Sequence, residues 1–271
     1  ANITKYKRMK TQAIINHIVN WLKNYAKDAG QNGFVVGVSG GIDSAVTSTL
    51  CAKTGMRVLC LEMPIHQNPD HVERSSKHIK ALKHNFANVS SVCVDLTMTF
   101  ETFKDSVPKT PDSDQKTLSL ANTRARFRMS TLYYFAALHG YLVAGTGNKV
   151  EDFGVGFYTK YGDGGVDLSP IANLMKTEVF EIGKELGVID EILQAEPTDG
   201  LWADDRSDVD QIGSSYEELE WAMKFEEQNA NESSLTDEKK EVLETYRNFN
   251  KANQHKMQPI PVCEIPNELK S

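Results

Sequence analysis

Short apolar runs alternate with longer stretches in which apolar residues recur every three or four positions. Phe34–Val38, Arg57–Met63, Ser91–Leu96 and Tyr141–Ala144 are near-continuous apolar runs of strand length, and Val166–Ile171 reads as a short fifth strand, cut by Pro170. Helical spacing appears over 5–29, where Tyr6, Met9, Ala13, His17, Trp21 and Tyr25 fall on one stripe, and over 115–138, where Leu118, Ala121, Ala125, Met129, Leu132 and Ala136 do the same. Further helices are predicted over 43–54, 69–84, 175–186, 188–195, 215–228 and 236–250. Strands buried on both faces and separated by helices predict an α/β fold. Its sheet is doubly wound, mostly parallel and five-stranded, flanked by helices, with a helical C-terminal part. Residues 106–114 read as a loop, 199–210 as a lid, and the proline-containing tail from Gln258 as irregular. No repeat is visible, and 1–271 reads as a single domain.

The first strand runs into Val36-Gly37-Val38-Ser39-Gly40-Gly41-Ile42-Asp43-Ser44, and a helix leaves it. A strand passing through adjacent glycines into a helix N-terminus gathers backbone N–H groups that suit a phosphate. The string lacks the Lys-[Ser/Thr] of a P-loop and the glycine spacing of a dinucleotide fingerprint. A plain tight turn, with Asp43 as a helix-end charge, is the competing reading. Ligands of such sheets bind beyond the strand ends where strand order reverses. If strands one and four are neighbours, Glu151, in the loop after strand four, lies on the same rim as Asp43. Two carboxylates facing a triphosphate would suit Mg²⁺.

The densest stretch is 154–167, where five glycines interleave with Phe157, Tyr158, Tyr161, Lys160, Asp163 and Asp167. Glycines permit close backbone approach, and aromatics can stack on a ring. Asn122 and Arg126 lie four apart on one helical face and so can address one ligand, whereas Arg124 and Arg128 share another face and read as surface salt-bridging residues.

The 271 residues are 40% hydrophobic and 25% charged, ordinary for a globular protein. A net charge of -7 argues against a nucleic-acid partner. Cys51, Cys60, Cys93 and Cys263 are scattered and suit reduced thiols in the cytoplasm. No apolar run reaches membrane-spanning length, and no paired cysteines or basic surface suggest a sulfur transferase acting on tRNA.

The Ser39–Ser44 string resembles the pyrophosphate loop of the N-type ATP pyrophosphatases. Together with Asn122-Thr123-Arg124-Ala125-Arg126, Gly145-Thr146…Glu151, Gly156–Asp167, Lys176, Pro197-Thr198 and His255-Lys256, it is similar to NAD synthetases of the ammonia-dependent kind over nearly the whole chain. The resemblance implies an adenine nucleotide alpha hydrolase-like fold, a homodimer with the 115–138 helix in its contact, and amidation of deamido-NAD by ammonia through an acyl adenylate. It also implies site residues. Gly37, Val38, Ser39, Gly40, Gly41, Ile42, Asp43 and Ser44 would hold ATP with Thr146, Lys176 and Thr198, and Asp43 and Glu151 would hold Mg²⁺. Arg126, Lys160, Asp167, His255 and Lys256 would hold deamido-NAD, and Asp163 would take the ammonia-side proton. The chain departs from many relatives at Glu62-Met63, where a basic residue commonly precedes the proline. Another amidating ATP pyrophosphatase, such as the synthetase part of a GMP synthetase, should lack the 156–167 stretch. A non-catalytic nucleotide sensor would not need Asp43, Glu151 and Asp163 together.

Overall fold

The computed structural model describes residues 9–197 and 208–270. Helix α1 (Thr11–Asp28) precedes β1 (Gly33–Gly37), α2 (Ile42–Lys53), β2 (Arg57–Glu62), α3 (Pro69–Asn85), β3 (Val89–Cys93), α4 (Thr97–Ser106) and α5 (Asp114–His139). Strand β4 (Leu142–Val143) leads into a π-helical turn, Val150–Val155. Then come α6 (Lys176–Glu185), α7 (Asp190–Leu193), α8 (Asp208–Ile212), α9 (Tyr216–Glu227) and α10 (Asp237–Met257).

The strands form one parallel sheet in the order β3-β2-β1-β4. The order reverses between β1 and β4, so a crevice opens beyond the carboxyl ends of these two neighbours. The sheet has four strands among the described residues, not the five expected. The segment expected as a fifth touches β4 through a single parallel bridge, Ala144 to Leu168. Gly164 and Gly165 lead into it and Pro170 ends it, so no ladder extends.

Helix α2 is the central layer, with ten of its twelve residues buried, Ile42 and Ser44 to Ala52. It packs with α1, α6 and the β1 face in one apolar cluster that includes Phe34, Val36, Leu50, Ile171 and Ile182. The other face of the sheet packs Val35, Leu59, Leu61 and Val143 against Phe100 and Ala136 of α4 and α5. Helix α4 went unread in the sequence, because its apolar residues are few and only Phe100 is buried. Helices α9 and α10 form a third cluster around Val150 and Val155 of the π-turn. That cluster brings the C-terminal helices to the crevice. Of the lid expected over 199–210, residues up to Ser207 lie outside the described residues, and 208–210 begin α8.

Candidate active site

The loop after β1 is held open by its own serines. Ser44 Oγ accepts from Ser39 N at 3.2 Å and donates to Gly41 O at 3.0 Å, while Ser39 Oγ accepts from Gly41 N at 3.2 Å. Gly40 has φ +87, and a Cβ there would stand 2.6 Å from His71 O, so both the conformation and the close approach require glycine. Gly41 caps α2, which points its N-terminus into a cavity lined by Ser39 to Ser44, Thr146, Glu151, Asp163 and Lys176. Converging N–H groups at a helix N-terminus favour an anion there. Of the expected ATP residues, Val38 lines only a smaller adjoining cavity, and Gly37 lies beneath the loop against Met63 and Leu132, outside both. Thr198 lies outside the described residues.

Asp43 and Glu151 meet across the crevice, as strand order predicts. Lys176 Nζ, at the start of α6, bridges them at 2.5 Å from Asp43 Oδ2 and 2.9 Å from Glu151 Oε1, and it is buried. Burial pushes the Asp43 carboxyl up, with Lys176 opposing and Glu151 assisting the rise. Burial also opposes ionisation of Glu151, but Lys176 and the Tyr216 hydroxyl outweigh it and hold the carboxyl below its usual range. A buried ion group of this kind is costly to break, because removing the one cation strands two carboxylates.

Two residues that complete this centre, Asn148 and Tyr216, were not singled out in the sequence, and a third residue nearby was misread. Asn148, fully buried, donates to Asp43 Oδ1 at 3.2 Å and accepts from Val150 N and Glu151 N at 3.1 Å each. Tyr216 OH donates to Glu151 Oε1 at 2.6 Å, and its ring lies 4.8 Å from Lys176 Nζ. Arg128 corrects the surface reading. It turns inward, donates to Met63 O at 3.0 Å and Gln67 Oε1 at 2.9 Å, and lines the loop cavity. A guanidinium from α5 thus stands at the end of β2, beside Glu62-Met63, where the resemblance had led one to expect a missing cation. Arg124 packs over the Phe100 ring at 5.4 Å.

A second cavity opens on the other side of Asp163. Asn122, Arg126, Tyr158, Lys160, His255 and Lys256 are among its lining residues. Arg126 donates to Lys160 O at 3.2 Å, Lys160 Nζ to His255 O at 2.8 Å, and Lys256 Nζ to Gly156 O and Tyr158 O at 2.8 and 2.9 Å. Thr159 Oγ1 donates to Asn122 Oδ1 at 2.7 Å, so α5 and the 156–163 stretch are tied together. Burial lowers the Lys256 ammonium, with Asp163 opposing. Tyr161 sits at φ 60, a region an aromatic residue rarely adopts, at the tip of this stretch. Asp163 Oδ1 accepts from Thr159 N at 2.8 Å. Asp167 is not brought to either cavity; its carboxylate accepts from Val143 N at 2.8 Å and Tyr133 OH at 3.0 Å, beside β4. Next to the centre, burial and then Glu151, Asp163 and Asp43 push the Asp152 carboxyl up to about 8, and no cation among the described residues offsets the rise.

A parallel sheet with its order reversing at a phosphate-type loop defines a nucleotide-binding protein of the adenine nucleotide alpha hydrolase-like kind. Residues 14–260 match the family described as NAD synthase. An NH(3)-dependent NAD(+) synthetase of Carboxydothermus hydrogenoformans is 36% identical over 250 residues, covering 92% of this chain and 95% of that one. Among solved structures, NMN synthetase from Francisella tularensis superposes with TM-score 0.81 at 30% identity, covering 96% of this chain and 99% of that chain. NH3-dependent NAD synthetase from Campylobacter jejuni, solved with the nitrate ion, does so with TM-score 0.76 at 26% identity, covering 94% and 100%. The chain belongs to the NAD synthase family.

Proposed function

We propose that this chain amidates deamido-NAD with ammonia and ATP, giving NAD, AMP and pyrophosphate. The observation that carries the reading is the meeting of two cavities at Asp163. One is built around a phosphate-type loop and the other around Arg126, Lys160 and Lys256, and they share only Phe157 and Asp163. A reacting centre between two nucleotides belongs at that junction.

In the first step a nicotinate carboxylate oxygen bonds to the α-phosphorus of ATP, and pyrophosphate leaves with the electrons of the broken P–O bond. Gly40, Gly41 and the α2 N-terminus receive phosphate oxygens, and Lys176 stabilises charge on the departing pyrophosphate. In the second step the nitrogen lone pair of ammonia attacks the acyl carbon, and AMP leaves with the C–O bonding pair. Asp163 takes a proton on the ammonia side, a role worth about 10²–10⁴-fold. Thr146 lies on the ATP side. Arg126, Lys160, His255 and Lys256 hold the dinucleotide.

The donor set fits Mg²⁺. Asp43 and Glu151 face one cavity with Lys176 between them, and among the described residues no group of three or more His, Cys, Asp or Glu could hold a metal, so phosphate and water would have to supply the remaining ligands. Two carboxylates plus phosphate and water suit that ion. It would neutralise charge on the triphosphate. We read 1–271 as one domain, supported by the packing of α9 and α10 on the π-turn of the sheet domain. A homodimer through α5 is supported by exposed Leu118, Tyr134 and Leu138. A cytoplasmic location is supported by four free cysteines. Among the described residues no helix is long and apolar enough to cross a membrane.

The likeness to the Francisella NMN synthetase favours a second reading, in which the acid amidated is nicotinate mononucleotide. The same centre would run the same two steps on a shorter substrate.

Asp163→Asn tests the assignment of steps. Pyrophosphate release with ATP and deamido-NAD should persist, while amide formation falls by about 10²-fold or more. Equal loss of both steps would remove Asp163 from proton transfer.

A further inference from the structure

Arg126, Lys160, Lys256 and Asn253 line the dinucleotide cavity, and each already donates to a backbone carbonyl of the protein. Asn122, on the same wall, accepts from Thr159. Gln211 of α8 differs from them. It lines this cavity too, but its Nε2 is shut off from solvent and meets no hydrogen-bond partner among the described residues.

Buried donors without an acceptor are rare in folded proteins and cost stability. Nothing in the packing of α8 calls for an amide at this position. The next residue, Ile212, anchors the helix by burial in the cluster of Val150, Val155, Tyr216 and Leu219. An apolar side chain at position 211 would complete the wall with no polar group to satisfy. The amide is therefore explained by what enters the cavity, not by what surrounds it.

The same cluster says where along the substrate the amide stands. Phe157 and Phe249 pack against it and line the dinucleotide cavity, and Phe157 lines the loop cavity as well. Helix α8 thus abuts the end of the dinucleotide cavity nearest the junction where the nicotinate carboxylate reacts. From that carboxylate the substrate runs through ring, ribose and phosphate. The ring nitrogen is bonded to the ribose and offers no acceptor, and the phosphates are matched by Arg126, Lys160 and Lys256. The ribose hydroxyls remain. Each both donates and accepts, and a carboxamide presents donors and an acceptor in one plane.

We infer that Gln211 is a binding residue for the ribose attached to the nicotinate ring, its amide hydrogen-bonding a hydroxyl there. The identity of that sugar rests on the amidation reading, and both acids considered above carry it. Gln211 does not line the loop cavity, so ATP gains nothing from the contact. The residue selects for the acid substrate alone.

The test compares wild type with Gln211→Leu, which fills the wall and removes the amide, and Gln211→Glu, which still accepts from a hydroxyl but repels phosphate. Binding of deamido-NAD and of nicotinate mononucleotide is measured by calorimetry with saturating α,β-methylene ATP, whose P–C–P link cannot be split. Binding of that analogue alone and the Tm of each unliganded protein are measured beside it. In Gln211→Leu both acids should bind about threefold to tenfold more weakly, the size of one neutral hydrogen bond. Binding of the ATP analogue should be unchanged, and Tm no lower than wild type, because no internal bond is lost. Gln211→Glu should stay within about twofold of wild type for both acids. Unchanged acid binding in Gln211→Leu, or a lower Tm with acids and ATP analogue weakened alike, overturns the contact. Weaker acid binding in Gln211→Glu than in Gln211→Leu would put a phosphate at the amide and overturns the ribose assignment. A wild-type protein that binds the ATP analogue but neither acid overturns the amidation reading and the contact with it.

Discussion

At the scale of single residues, the centre is a set of long-range partnerships. Asp43, Glu151 and Lys176 come from three elements, and Tyr216 and Asn148 fix their geometry from a fourth and fifth place in the chain. The loop serines and glycines were legible in the sequence because their bonds span at most five residues. Tyr216 was not, since it sits 65 positions from the carboxylate it serves and looks like any apolar helix residue. Arg128 was misread for the same reason: its partners, Met63 and Gln67, lie 65 and 61 positions away. If Tyr216 positions Glu151, then Tyr216→Phe removes a donor to a charged acceptor, worth about 1.5–3 kcal/mol. That should lower kcat for pyrophosphate release by about tenfold or more with deamido-NAD KM unchanged. A rise in KM at constant kcat would place Tyr216 in binding instead.

At the scale of elements, α2 carries both the phosphate loop and a buried polar contact behind it. Ser48 Oγ gives its proton to Ser44 O at 2.7 Å, so His78 Nε2 on α3 must donate to Ser48 Oγ across 2.9 Å. Burial drives the His78 imidazole down to about 4. The unfolded chain, with an imidazole near about 6.5, therefore binds the proton first as pH falls. This contribution to stability is complete above about pH 6.5 and is lost on going down through that value toward 4. The stability advantage of wild type over His78→Gln should shrink by about 3 kcal/mol between pH 7 and 4, read from urea unfolding at each pH. An advantage independent of pH would mean that His78 is not held neutral by the fold. Strands β1, β2 and β4 and helices α2, α3 and α5 were readable to within a residue; β3 lies two to three residues earlier than expected, and α1, expected from residue 5, begins at Thr11 among the described residues. The π-turn and the failed fifth strand were not foreseen. The π-turn is anchored by Asn148, whose partner Asp43 lies 105 positions away, and the fifth strand fails because Pro170, visible in the sequence, stops it at a single bridge.

At the scale of the whole molecule, the reversal of strand order between β1 and β4 is what turns a turn-like glycine loop into half of a two-substrate centre. The β1–β4 adjacency could be anticipated from the chain and is realised in the register Phe34 to Leu142. The layer of α9 and α10 then adds Tyr216, His255 and Lys256 to a site begun by residues two hundred positions earlier, a closure that no local pattern announces. The central claim is that this architecture places AMP on a nicotinate carboxylate and replaces it with ammonia. The most direct measurement incubates the protein with ATP, Mg²⁺ and ammonium together with deamido-NAD, nicotinate mononucleotide, XMP or no acid, and follows AMP and amide product. The account predicts AMP and NAD in equal amounts with deamido-NAD, and no AMP with XMP or without an acid. AMP formed with nicotinate mononucleotide in preference to deamido-NAD would select the shorter substrate, and AMP formed only with XMP, or equally without any acid, would contradict the account.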